Sequence, residues 1–174
     1  MFGGLLANAE TPDGADISIS LDEGFRRGVE IVDTFAPVEG RASGKAIIIG
    51  NGGSAAIASH LQNDLCKAVG AAMVFNEASL LTALTNDEGY DVAFRRMVEL
   101  WAEPGDLMVA VSSSGCSVNI FLAVEAAVSW ECRVITFLDF LPCNPLRGMG
   151  ELNFQSIQRH TAMWRGPTRA SRII

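Results

Sequence analysis

Two short stretches of the chain carry the residue types that hold a phosphate group. The first is Gly50-Asn51-Gly52-Gly53-Ser54, directly after the β-branched run Ala46-Ile47-Ile48-Ile49. Its glycines permit positive φ and let a ligand approach the backbone closely, and Ser54 is a good helix N-cap. The amides that open the following helix then face whatever sits above the turn. The second is Ser112-Ser113-Ser114-Gly115-Cys116-Ser117, after Leu107-Met108-Val109-Ala110-Val111. The hydroxyls around its glycine can each donate to a phosphate oxygen, with backbone amides and a helix dipole adding to them. Either turn alone is equally well explained as an ordinary strand-to-helix turn with a capping serine. Two of them in one small sheet favour an anion site. His60 and Asp64 form another pair of interest, because i,i+4 spacing puts both on one helix face. That suits a metal ion or a proton relay, or else a plain surface pair worth about 0.2–0.5 kcal/mol.

Rival motifs fit less well. A P-loop needs Lys and Ser/Thr at its end, and Ser54-Ala55-Ala56 has no lysine. Gly50-x-Gly52-x-x-Ala55 matches the loose dinucleotide fingerprint, with Glu77 placed as a ribose ligand. Short glycine patterns are common, however, and a dinucleotide leaves the serine turn unexplained, so no nucleotide cofactor is expected.

These turns need a frame, and the apolar pattern supplies one. Leu21, Phe25, Val29, Val32 and Phe35 recur at three- and four-residue steps and predict an amphipathic helix over 21–36, ended by Pro37. Short buried strands are predicted at 46–49, 72–75, 107–111 and 133–137, with a further one at 152–154. Helices are predicted between them at 54–67, 78–84, 90–102 and 118–128. Strands alternating with helices imply βαβ units and a doubly wound parallel sheet, an α/β three-layer sandwich of flavodoxin-like type. Residues 1–20 read as a loose leader, 21–160 as a single domain including its N-terminal helix, and 161–174 as a divergent tail.

The chain has 174 residues, 49% of them hydrophobic and 19% charged, with a mean hydropathy of +0.25. That suffices for one well-filled core. Thirteen Lys and Arg against twenty Asp and Glu leave a net charge of −7. Such a balance disfavours nucleic acid and anionic membranes as partners, but not a small anion held by local donors. Cys66, Cys116, Cys132 and Cys143 form no CxxC pair, and His60 and His160 complete no zinc-finger spacing, so reduced thiols in a cytoplasmic protein are expected. No apolar run is long enough to span a bilayer, and Met1–Ala9 has no basic region of the signal-peptide kind.

The strings GNGGSAAIASHLQNDL (50–65), LTALTNDEGY (81–90) and PGDLMVAVSSSGCSVNI (104–120) resemble the SIS, or sugar isomerase, domain. Within it they are most similar to phosphoheptose isomerases, which interconvert sedoheptulose 7-phosphate and a glycero-manno-heptose 7-phosphate. The similarity covers roughly Leu21 to Phe154. It implies phosphate binding by Ser112, Ser114 and Ser117, with Ser113 beside them, and a first ligand turn at Asn51, Gly52, Gly53 and Ser54. It also implies a sugar-contacting pair at Asn86 and Asp87. His60 and Asp64 match a His and a Glu that line the active site and can bind zinc, so Asp64 stands one methylene short of the family's carboxylate. Cys116 stands where the family commonly has Asn. The implied chemistry is a ketose–aldose shift through an enediol, in sites built between the subunits of a tetramer. The alternative within the family is a non-catalytic phosphosugar- or protein-binding regulator.

The resemblance further implies a catalytic histidine on a closing helix, at position 168, where the chain has Thr168 behind Gly166-Pro167. His160 comes too early to serve. Codons for residues 161–168 read one nucleotide earlier can encode a string ending in that histidine, so the tail is expected to be a frameshift product of an active isomerase.

Overall fold

A computed structural model describes residues 4–10, 16–35, 43–139 and 145–157. Its strands are β1 (Gly4–Glu10), β2 (Asp16–Ile19), β3 (Ala46–Gly50), β4 (Ala72–Val74), β5 (Leu107–Ser112), β6 (Arg133–Asp139) and β7 (Leu152–Ile157). Its helices are α1 (Leu21–Asp33), α2 (Gly53–Val69), α3 (Ala78–Glu88), α4 (Tyr90–Trp101) and α5 (Val118–Ser129), with a 3-10 turn at Pro145–Gly148.

All seven strands join one sheet in the order β2-β1-β7-β6-β5-β3-β4. From β7 to β4 every neighbour is parallel, which is the doubly wound α/β sheet expected from the alternating pattern. Ile47 and Ile49 of β3 point to one face, where they pack with Phe94 and Met97 of α4 and Ile120 and Val124 of α5. Ala46 and Ile48 point to the other, packing with Ile31 of α1 and Ala58 and Leu65 of α2. Burial on both faces is why β3 and β5 read as unbroken apolar runs rather than alternating ones.

The segment expected to be a loose leader contains two strands. Residues 4–10 and 16–19 form a hairpin, with Ala7 opposite Ile19, and β1 also runs antiparallel to β7, with Ala7 opposite Phe154. Backbone pairing with β7 holds this segment, so it needs no apolar period of its own to become a strand. The sheet is therefore mixed, with an antiparallel hairpin on the β7 side of the parallel core. Helix α1 stops at Asp33, three residues before the expected end, with the Thr34 hydroxyl donating to the Ile31 carbonyl at 2.6 Å. The tail, His160 and Cys143 lie outside the described residues.

Candidate active site

In the strand order, β3 is followed by β4 on one side, and the chain then returns to lay β5 on the other side of β3. From β5 it winds outward to β6 and β7. The crevice between the carboxyl ends of β3 and β5 is thus the topological switch point, where open α/β sheets collect ligands. Gly50 pairs with Val111 in parallel register, so turns 50–54 and 112–117 leave adjacent strands at the same edge.

Turn 50–54 is shaped by close approach. A Cβ on Gly50 would lie 2.7 Å from the Ser54 carbonyl carbon and oxygen, so this position takes only glycine. Gly52, at φ +55°, is the N-cap of α2 and has no side chain to cover the opening amides. The Ser54 amide turns back to the Asn51 carbonyl at 2.9 Å, and its side chain is buried. In the second turn Ser112 is buried and its Oγ accepts from the Gly115 amide at 3.1 Å, while Ser114 Oγ accepts from the Cys116 amide at 3.3 Å. Ser113 and Ser114 are exposed. Ser117 begins α5 without capping it through its hydroxyl.

Two helices are capped by side chains. Ser20 caps α1, and Glu77 caps α3 by accepting from the amides of Ser79 at 3.0 Å and Leu80 at 2.7 Å. Those amides hold the Glu77 carboxyl below the ordinary range. At the crevice neither Gly52 of α2 nor Ser117 of α5 caps its helix through a side chain, and Gly89 leaves α4 without one too. The amides and dipoles of α2 and α5 point at the space between the turns, a ready site for an anion.

One bond pattern ties the turns together. Asn51 Nδ2 donates to Asn119 Oδ1 at 2.9 Å, and Asn119 Nδ2 donates back to Asn51 Oδ1 at 3.0 Å. The Tyr90 hydroxyl donates to the same Asn51 oxygen at 2.7 Å. Reading motifs from sequence missed both Asn119 and Tyr90. Asn119 is a polar residue on the inner face of an apolar helix, which was the one available signal.

The remaining residues lie farther out. Asn86 and Asp87 are exposed at the end of α3, joined by an Asn86 Nδ2 to Asp87 Oδ1 bond of 2.9 Å. They sit three and four residues before Tyr90, which anchors that junction to Asn51. His60 Nε2 and Asp64 Oδ2 are 3.5 Å apart on the outer face of α2, with their side chains 81% and 55% exposed. Asp64 is roughly 16 Å along the helix from Gly53. The fold therefore gathers the two turns and leaves the His60–Asp64 pair in solvent. Among the described residues no group of three or more His, Cys, Asp and Glu side chains converges. Two donors do not fit a resident zinc, which takes three or four protein ligands.

A doubly wound sheet with two anion-suited turns at its switch point is the setting of this site, and the SIS domain family model matches residues 38–138. The chain belongs to that family. A phosphoheptose isomerase of Pelobacter propionicus is 36% identical over 141 residues, covering 77% of this chain and 67% of that protein. The structure of a phosphoheptose isomerase from Neisseria gonorrhoeae superposes with a TM-score of 0.62 at 33% identity, covering 69% of this chain and 64% of that one. One from Francisella tularensis shares the fold at a TM-score of 0.71 and 23% identity, covering 82% and 78%. The chain matches between 50% and 67% of the length of its curated relatives.

Proposed function

We propose that the protein is a phosphosugar isomerase that interconverts sedoheptulose 7-phosphate and a glycero-manno-heptose 7-phosphate in the cytoplasm. The observation that carries this reading is the pair of uncapped helix N-termini at adjacent strand ends, one framed by glycines and one by serines. The phosphate anchors there, on the amides of Gly52 and Gly53 and on Ser113, Ser114 and Ser117. The similarity to proteins named phosphoheptose isomerase supports the choice of substrate. No helix among the described residues is long and apolar enough to cross a membrane.

With the phosphate fixed, the sugar chain extends toward Asn86 and Asp87, whose amide and carboxylate suit its hydroxyls. In the isomerisation a carboxylate removes the proton from the carbon beside the carbonyl, and the enediol forms as the carbonyl oxygen is protonated. Return of a proton to the neighbouring carbon, with loss of the other hydroxyl proton, gives the second sugar. Asp64 is assigned this proton transfer, assisted by His60. Because both face outward on α2, they serve either a sugar lying along that helix or the site of an adjacent copy in a homo-oligomer, a tetramer by resemblance. A zinc ion held by His60 and Asp64 would need donors from beyond this pair, and no step is routed through it.

A second reading, a SIS regulator that binds phosphosugar without turning it over, is favoured by Asp64, a carboxylate one methylene short. A misplacement of about 1 Å can cost on the order of a hundredfold in rate. Incubation with sedoheptulose 7-phosphate, with and without zinc, separates the two. Turnover that Asp64→Ala abolishes supports the isomerase; binding without turnover supports the regulator; absence of both overturns the phosphosugar assignment. The frameshift reading of residues 161–174 is tested on the coding DNA, where one alternative frame must restore an apolar helix containing a histidine at position 168.

A further inference from the structure

The Asn51 side chain is where three segments meet, and the directions of its bonds are fixed from outside. The backbone N–H of Ile120 can only donate, and it is shared between the Ser117 carbonyl at 3.1 Å and Asn119 Oδ1 at 3.0 Å. That atom is therefore the amide oxygen. It also accepts from Asn51 at 2.9 Å, so the Asn51 atom facing it is the nitrogen. The other Asn51 atom is then its oxygen, and Asn119 Nδ2 at 3.0 Å and the Tyr90 hydroxyl at 2.7 Å fill its acceptor capacity. Of the two hydrogens on Asn51 Nδ2, one is used on Asn119. Among the described residues the second has no partner, and it is the polar function of this side chain left for a ligand.

We infer that Asn119 and Tyr90 are positioning residues for the bound phosphosugar: they lock the Asn51 amide so that it offers an N–H, never its carbonyl, to the anion held over the two turns. A freely rotating asparagine presents either end, and an oxygen turned toward a phosphate or a sugar oxyanion repels it. Holding the donor in place beforehand removes an ordering cost from binding. Asn119 is suited to this because it is 3% exposed and its oxygen is anchored to the backbone of its own helix. Tyr90 adds the third segment, coupling the junction that carries Asn86 and Asp87 to the floor of the phosphate site.

The inference rests on the phosphosugar reading, and the experiment keeps the two apart. Binding of sedoheptulose 7-phosphate to the full chain is measured by calorimetry for the wild type, Tyr90→Phe, Asn51→Ala and the double variant. Tyr90→Phe removes only a hydroxyl from a half-exposed ring, and a thermal melt unchanged from wild type shows that the fold is kept. It is expected to weaken binding about three- to tenfold, the range of one hydrogen bond. In the Asn51→Ala background the same change is expected to have no further effect within about twofold, because Tyr90 acts through Asn51. Asn119→Ala should show the same dependence on Asn51; if it does not fold, the Tyr90 cycle decides alone. Effects of Tyr90→Phe and Asn51→Ala that multiply independently overturn the positioning role while leaving the phosphosugar reading intact. A wild type that does not bind the sugar phosphate overturns both.

Discussion

At the scale of single residues the site depends on what is absent as much as on what is present. Gly50 has no Cβ because the Ser54 backbone fills that space at 2.7 Å. Gly50→Ala must push α2 away from β3, and we expect loss of sedoheptulose 7-phosphate binding together with a clear drop in melting temperature. A melt within a degree or two of wild type would show that the turn relaxes freely. Ser114 is different in kind, being exposed and, among the described residues, bonded through its hydroxyl to the Cys116 amide alone. Ser114→Ala is expected to weaken phosphosugar affinity by about 1–2 kcal/mol, a lost hydrogen bond to a charged group, with little change in stability. Unchanged affinity would mean that its hydroxyl only shapes the loop. The motif strings made Gly50 and Ser114 legible in the sequence. Tyr90 was not, because a tyrosine at a helix start carries no signal until the fold brings it to Asn51, and Asn119 showed only as a polar residue within an apolar helix.

At the scale of elements the opposite edge of the sheet holds the site in shape. Asp106 opens β5 and is 2% exposed. Its carboxylate accepts from the amides of Lys45 at 3.0 Å and Glu103 at 2.8 Å, and meets Lys45 Nζ at 2.6 Å. It thus clamps the entrances of β3 and β5, whose exits carry the two turns. Asp106→Ala removes the acceptor of two amides and leaves the Lys45 ammonium only the exposed Glu103 carboxylate, so a loss of about 1–3 kcal/mol is expected by urea denaturation. Burial disfavours the Lys45 ammonium, but hydrogen bonds to Asp106 and Glu103 outweigh it and raise its pKa above the ordinary lysine value. Burial, aided by the nearby Asp106 charge, pushes the Cys132 thiol up to about 11. Both groups have folded values above their unfolded ones, so their contributions are complete below the unfolded values and are lost as pH rises through the folded ones. Stability should hold through neutral pH and fall from about pH 9 toward 11. Cys132→Ala should flatten the lower part of that fall; an unchanged alkaline profile would remove Cys132 as its cause.

At the scale of the whole molecule the face bearing α1 and α2 is open. An apolar cleft of about 240 Å³ lies between these helices, lined by Leu61, Leu65, Val109, Ile135 and Phe154, with Phe25 and Val29 half exposed beside it. If the proposed homo-oligomer packs there, Val29→Asp should lower the mass seen by sedimentation without unfolding the chain, since Val29 supports no core contact that a charge would bury. An unchanged oligomer would place the interface elsewhere. The net charge of −7 predicts no binding to duplex DNA at physiological salt, and filter binding would check it.

Local chemistry and period decided what the sequence could determine by itself: the buried β-branched strands, the helices between them, and two turns whose glycines and serines suit a phosphate. These properties are written into neighbouring residues and need no distant partner. The hairpin at 4–19 was invisible because strand pairing with β7 creates it, across more than 130 residues. Only the tertiary structure set turns 50–54 and 112–117 on adjacent strands, drew Asn51, Asn119 and Tyr90 to one point, and left His60 and Asp64 on an outer face. Strand order is a long-range choice, made by packing helices on both sides of the sheet, and no window of sequence contains it.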